Sequence, residues 1–376
     1  MSKIKILFEG ISSNLGGIEK FVKSVYDKID KEKYEISFLV DADVKAVFEE
    51  EYKANGCNFF AVTNRKNSYI QYLKDLKAIY KDNKFDIIHI NMMSYSLFER
   101  ITLACKYSKA RVIVHCHNGG FSKDSKYKKT IILDKIGKIF VHKYMKKIIK
   151  VACSEKAGRF AFNNSFFTII NNGIDVEKFV FNQSARLKLR TEMGFDDDDF
   201  LILLVGMFND FKNHEFLIDI FSKYKKLDKS AKLILVGEGY LQKKVKEQVN
   251  NLKLNDEVFF LGKRTDVNEI LSMCDVYVMP SKSEGISLAL IEAQVNGLMC
   301  YTSNNVDKNS DITGNVEFLS LDMSAEKWAK EIYNNKDKGR DLDAHKKIPL
   351  MYKSDNCFEK LFEIYEYESN NASVRK

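Results

Sequence analysis

Along the first half of the chain, short apolar and β-branched runs alternate with longer stretches whose apolar residues return every three or four positions. The short runs at 5–8, 35–40, 87–90, 111–115, 148–152 and 168–170 read as strands, and the stretches at 19–29, 69–80 and 94–106 as helices. Strands that alternate with helices imply a parallel sheet covered on both faces. The alternation lapses at the turn-rich Asn171-Asn172-Gly173-Ile174-Asp175 and begins again beyond the acidic cluster 196–199. Strands are then expected at 201–205, 232–236, 258–261 and 276–279, with helices at 214–226, 240–250 and 288–295. The break between 175 and 200 divides the chain into an expected N-terminal domain, 1–180, and a C-terminal domain, 181–376. Each is expected to be a Rossmann-like, doubly wound parallel α/β sheet, the two facing a central cleft at the carboxyl ends of their strands. Helices at 325–334 and about 355–368 close the chain, and Phe358, Leu361, Phe362 and Tyr365 give the last one a face to bury.

Composition fits that picture. A length of 376 residues suits two domains of roughly 100–200 residues each, and an apolar fraction of 45% excludes wholesale disorder. No run approaches the roughly 20 apolar residues of a membrane-spanning helix, and the apolar stretch at 4–8 lacks a signal peptide's length and cleavage site. The expected location is therefore the cytoplasm. Seven scattered cysteines without a C-x-x-C pair agree with a reducing compartment. His115-Cys116-His117 superficially resembles a metal cluster, but successive strand residues point to opposite faces, which argues against convergence on one ion. The net charge of +8 is localised: residues 122–150 carry ten lysines against Asp124 and Asp134, and the rest of the chain balances to zero.

The most specific segment is Pro280-Ser281-Lys282-Ser283-Glu284-Gly285-Ile286-Ser287-Leu288-Ala289-Leu290-Ile291-Glu292-Ala293-Gln294, a loop between a strand and a helix. Gly285, Ile286 and Ser287 would offer backbone N–H groups at a helix N-terminus, a ready site for phosphate, with Ser287 as the cap and Gly297 as the stop. Glu284 before the helix could face a sugar ring while Glu292 accepts from two ribose hydroxyls. The bland alternative makes Glu284 a helix cap and Glu292 a solvated surface acid; the strand–loop–helix context favours the first reading.

Glu284 to Glu292 resembles the E-x7-E signature of retaining glycosyltransferase family 4, with the GT-B fold. The continuation Glu292-Ala293-Gln294-Val295-Asn296-Gly297-Leu298 resembles the form found in bacterial capsule and exopolysaccharide enzymes. Gly16-Gly17-Ile18-Glu19, His115-Cys116-His117-Asn118, Asn172-Gly173-Ile174-Asp175, Val205-Gly206 with Lys212-Asn213-His214, Val236-Gly237-Glu238-Gly239 and Phe260-Leu261-Gly262 follow in the family's order. The resemblance implies transfer of a hexose or N-acetylhexosamine from a nucleotide sugar, UDP-linked, to a lipid-linked or oligosaccharide acceptor, without a metal or other cofactor. It implies that the C-terminal domain holds the donor and the N-terminal domain the acceptor, the C-terminal helices packing back toward the N-terminal domain. By position, Glu284 and His117 would face the transferred sugar, Glu292 the ribose, Gly285, Ile286, Ser287 and Leu288 the sugar hydroxyls and diphosphate, and Lys263 and Arg264 the base. Gly16 and Gly17 would let the backbone approach the diphosphate. His115, one pleat before His117, is expected to pack within the strand.

Met207 departs from the pattern. The family usually has Val-Gly-Arg there, the arginine and a lysine five residues on both gripping the diphosphate; here Lys212 is present and the arginine is methionine. Losing one cation from such a clamp can cost several kcal/mol of transition-state stabilisation. Lys212, Arg264 and helix N-termini would have to compensate. The alternatives are a weakened or partner-dependent GT-B subunit, or a nucleotide-sugar epimerase, against which Ala293-Gln294 argues. The lysine-rich 122–150 segment admits three readings: nucleic-acid phosphates, an anionic membrane surface, which suits a lipid-linked acceptor, or a solvated face over a buried stripe.

Overall fold

The structure, a computed structural model, describes residues 3–13, 16–121 and 128–366. It divides into two compact units, 1–173 with 354–376, and 174–353. Among the described residues, the first unit holds a seven-stranded sheet of strands β1 (Ile4–Glu9), β2 (Tyr34–Asp41), β3 (Asn58–Val62), β4 (Ile87–Met92), β5 (Arg111–Cys116), β6 (Ile148–Ala152) and β7 (Thr168–Ile169). Its order is β3-β2-β1-β4-β5-β6-β7 and every pairing is parallel. Both faces are covered: Leu7 packs into one hydrophobic cluster while its neighbours Ile6 and Phe8 pack into another.

The second unit repeats the design. Strands β8 (Leu201–Val205), β9 (Lys232–Val236), β10 (Val258–Gly262), β11 (Val276–Met279), β12 (Met299–Ser303) and β13 (Val316–Leu319) pair in parallel in the order β10-β9-β8-β11-β12-β13. In each sheet the order reverses at the first strand. Chain crossovers leave that point on opposite faces, so a crevice opens at the strands' carboxyl ends, between β1 and β4 and between β8 and β11.

The division of the chain falls at Gly173/Ile174 instead of 180/181. The Ile174 N–H donates to the Tyr352 carbonyl, and Ile174, Val176 and Phe179 lie in the core of the second unit. The helix Ala325–Asn334 stays with that unit through Trp328 and Ile332. The last helix, Glu359–Glu366, lies in the first unit, in keeping with the expected return of the C-terminal helices toward the N-terminal domain but not with a second domain that runs unbroken from 181 to 376. Phe358, Leu361 and Tyr365 are buried there with Phe21, Val22 and Val25 of the helix Gly17–Lys28. The Arg111 guanidinium donates to the carbonyls of Ile364 and Tyr365, satisfying acceptors that a helix end leaves open. Its expected end at 368 lies outside the described residues.

Fully buried Leu361 ties the C-terminal segment to the core of the first unit. Leu361→Ala is therefore expected to lower stability in a urea melt by about 2–4 kcal/mol, and exposed Leu342→Ala to change it by less than about 0.5 kcal/mol. Equal effects from the two would contradict this packing.

Candidate active site

In the second unit the chemistry gathers at the strand-order reversal. After β11 the chain turns through Pro280–Ser287 and enters the helix Leu288–Val295, while the segment after β8 brings in Lys212. The Lys212 ammonium lies 2.9 Å from Glu284 Oε1, 3.5 Å from Ser287 Oγ and 3.4 Å from the Met279 sulfur. Lysine and glutamate are both half-buried, so the pair is partly shielded from water and is stronger than a surface bridge. The Lys212 stem lies over Gly206, where a Cβ would stand 3.0 Å from Lys212 Cε. Gly206 is in turn packed against Gly237, whose φ of +131° and the Gly206 carbonyl 2.2 Å from a Cβ position exclude any side chain.

Ser287 occupies the cap position, but its hydroxyl makes no capping bond and is turned toward Lys212 and Met279. Gly285 is exposed with nothing within 4 Å of a Cβ position, so its backbone is open to a close approach. Ile286 and Leu288 pack on the core, and Glu292 is 3% exposed, which excludes the solvated-surface reading. Glu284 is an ion-pair partner, not a helix cap. Met207 is exposed, and so leaves no second cation beside Lys212 at this position. Arg264 stands apart. It follows β10, two strands from β8 and so about 10 Å away, and its guanidinium forks onto the Asp266 carboxylate. Lys263, beside it, is 3.8 Å from Glu238.

In the first unit, Gly16 and Gly17 begin the helix Gly17–Lys28, whose Glu19 takes hydrogen bonds from the Gly16 N–H and from the Ser12 N–H and hydroxyl. A Cβ on Gly17 would meet nothing within 4 Å. One turn on, Phe21 lies edge-on to His115 at 4.7 Å and 5.0 Å from His117. His115 and His117 share a face of the sheet, their rings 4.0 Å apart, while Cys116 packs into the cluster on the other face. Among the described residues no group of three His, Cys, Asp or Glu could hold a metal ion.

Two histidine arrangements were not legible in the sequence. Buried His89 links Tyr365 Oη (2.7 Å from Nδ1) to His115 Nδ1 (3.3 Å from Nε2). Asn91, at the carboxyl end of β4, accepts from His117 Nε2 at 2.9 Å and donates to the Glu9 carbonyl at 3.0 Å. Because Asn91 Nδ2 is used on a carbonyl, its Oδ1 faces His117, which fixes the proton on Nε2 and leaves Nδ1 as an acceptor. The available signal was positional: Asn91 is a polar residue at the carboxyl end of a buried strand next to the reversal.

Two all-parallel sheets of this order, each with its polar cluster at the reversal, define the class of GT-B glycosyltransferases. The model for glycosyl transferases group 1 matches residues 185–339, and that for glycosyltransferase family 4 matches residues 15–178. EpsF, a glycosyltransferase of Bacillus subtilis strain 168, is 29% identical over 340 residues, spanning 88% of this chain and 87% of that protein. The Escherichia coli UDP-Gal:α-D-GlcNAc-diphosphoundecaprenol α-1,3-galactosyltransferase is 26% identical over 316 residues, 81% of this chain and 80% of its own length. In fold, the chain matches Anabaena HepE, solved with UDP and glucose, at a TM-score of 0.72 and 17% identity, over 98% of this chain and 99% of that one. The chain belongs to glycosyltransferase family 4, and is an enzyme that transfers a sugar from a nucleotide-sugar donor.

Burial sets the histidines' protonation. It holds His89, His117 and His214 down at about 3 and His115 well below the usual imidazole range; at His117 the Asn172 amide opposes the shift only in part. All four are neutral in the folded state. The unfolded chain takes up their protons near pH 6.5, so the stability they contribute is complete above that value and is lost as pH falls toward about 3. The melting temperature is expected to fall between about pH 6.5 and pH 5, at up to about 1.4 kcal/mol per pH unit for each histidine. A melting temperature independent of pH across that window would contradict neutral burial.

Proposed function

We propose that this chain is a retaining glycosyltransferase that moves a hexose or N-acetylhexosamine from a UDP-sugar to a lipid-linked or oligosaccharide acceptor, in bacterial surface-polysaccharide synthesis on the cytoplasmic side of the membrane. The observation that carries the reading is the Lys212–Glu284 pair held at the sheet reversal beside the start of the helix Leu288–Val295. A cation and open backbone N–H groups at a helix N-terminus suit a diphosphate, and a carboxylate beside them suits sugar hydroxyls. In this reading Lys212 and the Gly285–Leu288 backbone neutralise the leaving diphosphate, Glu284 and His117 face the transferred sugar, and buried Glu292 holds the ribose. Gly16 and Gly17 leave the backbone open to a phosphate at the start of the first unit's helix Gly17–Lys28, and Arg264 borders the base. The charge balance is supplied by the chain itself, so no metal is required.

The acceptor assignment draws support from the Escherichia coli relative, whose name specifies a diphosphoundecaprenol-linked acceptor. No helix among the described residues is long and apolar enough to cross a membrane. A lipid-linked acceptor must then be met at the surface, and the lysine-rich 122–150 segment is the part of the chain suited to an anionic leaflet.

A weakened or partner-dependent subunit is the second reading, and exposed Met207 motivates it. In a screen of nucleotide sugars, a UDP-sugar is expected to raise the melting temperature and to be slowly hydrolysed. Glu284→Gln is expected to cut turnover by about 100-fold or more while the fold is kept. Protection by none of the UDP-sugars would remove the donor assignment. Met207→Arg decides between the readings: a rise in turnover of tenfold or more supports a weakened clamp, and unchanged turnover supports compensation by Lys212 and the helix start.

A further inference from the structure

The helix Lys128–His142 is built the wrong way round for a water-facing surface helix. Its buried side consists of Asp134, Gly137 and Val141. Gly137 sits directly on the Tyr95 backbone, whose carbonyl lies 2.0 Å from where a Cβ would be, and Asp134 accepts from the Tyr95 N–H at 2.8 Å. Lys138 closes this side by pairing with Asp134 at 3.1 Å and donating to the Phe160 carbonyl. Four large apolar residues point outward, with Ile131 and Leu133 half-buried: Ile132, Ile136, Ile139 and Phe140 are 57%, 38%, 75% and 51% exposed. At 100° per residue they form a single stripe about 100° wide, opposite the buried side. Phe140 stacks on Phe98 with ring centroids 4.9 Å apart, next to exposed Leu97, which extends the stripe.

At 100° per residue Lys128 and Lys135 flank this stripe, and Lys129 falls within its sector at the helix's N-terminal end. Lys128, Lys129 and Lys135 are exposed on the helix, and Lys143, Lys146 and Lys147 are exposed just beyond its end. The one acid described in the segment, Asp134, is buried and paired. Lys143 and Lys147 would share the apolar sector at 100° per residue, but the helix ends at His142, so they do not interrupt it. Lys123 and Lys126 lie outside the described residues. The solvated-face reading is overturned here, because the apolar stripe is not the buried one.

We propose that this helix docks on an anionic bilayer, with Ile132, Ile136, Ile139 and Phe140 entering the apolar layer and the lysines meeting lipid phosphates. The proposal deepens the reading that the acceptor is carried by lipid, and on that reading it rests. A second copy of the chain would bring six more lysines against these six. A bilayer rich in phosphatidylglycerol offers negative charge and an apolar interior together, which is the complement the stripe presents.

The full chain is tested by co-sedimentation with vesicles of phosphatidylglycerol or of phosphatidylcholine, without nucleotide or acceptor. Binding is expected to phosphatidylglycerol vesicles and to be at least tenfold weaker to phosphatidylcholine. Ile139→Gln with Phe140→Gln is expected to weaken binding by roughly 100-fold, and Lys128→Gln with Lys129→Gln and Lys135→Gln by roughly tenfold or more. Phe166→Gln, at a residue 89% exposed outside this helix, is expected to leave it unchanged. Melting curves establish that each variant folds. Unchanged vesicle binding in the Ile139/Phe140 variant overturns the proposal, as does a wild-type dimer that this variant makes monomeric. Because no sugar or nucleotide takes part, failure of the wild-type chain to bind phosphatidylglycerol vesicles with intact UDP-sugar protection counts against the docking surface alone, and the converse against the donor assignment alone.

Discussion

Everything polar that matters in this chain is organised by the reversal of strand order in an all-parallel sheet. A parallel sheet buried on both faces has no room for charge along its strands: β1 contributes Ile6, Leu7 and Phe8, and β8 contributes Leu201 to Leu204, all sealed from water. Charge is tolerated only where the strands end and neighbouring crossovers diverge. In the second unit that place holds the Lys212–Glu284 pair, and in the first it holds Gly10, Asn91 and His117. The glycines follow from the same constraint. Gly10 has a φ of +97° and would set a Cβ 2.2 Å from the Asn91 carbonyl; Gly237 stands likewise against Gly206. Close backbone approach at the carboxyl edge is what permits the crevice, and only glycine permits that approach.

The Lys212–Glu284 pair is poised, not committed. An isolated ammonium half-sheltered from water would be costly, so without donor the carboxylate 2.9 Å away stabilises it. In the proposed function a diphosphate, with more negative charge than one carboxylate, would compete for Lys212 and release Glu284 toward the sugar. Met207 sharpens the dependence on this lysine, because Arg264, the nearest substitute expected from sequence, is spent on Asp266 at the strand farthest from the crevice on that side of the sheet. In the proposed function the helix start would therefore bear more of the leaving charge.

The central strands were legible because burial on both faces writes them as unbroken apolar runs. β3, β12 and β13 were not. Asn58–Val62 is a half-exposed edge strand, and Met299–Ser303 carries Thr302 and Ser303, whose hydroxyls bond the carbonyls of Met279 and Ser281. A polar residue satisfied by a distant carbonyl looks, in sequence, like a loop residue. The strand–loop–helix course of the E-x7-E segment was legible because its context is local. The return of Glu359–Glu366 to the first unit depends on contacts across more than 250 residues, such as Arg111 with Ile364; periodicity shows only that the helix has a face to bury, and where it goes was implied by the family resemblance alone. The His89–His115–Tyr365 chain was hidden for the same reason.

The lysine-rich segment shows how a charge count and a packing pattern inform each other. Charge alone did not exclude nucleic acid, since lysine binds any phosphate, and it left an anionic membrane, the better fit to a lipid-linked acceptor, level with a solvated face. The fold separates them by what it does with the apolar residues. Burying a large aliphatic or aromatic side chain is favourable by about 1.5–3 kcal/mol, and the helix Lys128–His142 forgoes that for four of them while anchoring itself through an aspartate and a glycine. Solvent gives nothing back for that exposure, and a nucleic-acid backbone offers phosphates but little apolar depth. Only an occupant that supplies anions and an apolar interior in the same few ångströms recovers both terms, and an anionic bilayer does so at the surface where a lipid-carried acceptor would be found.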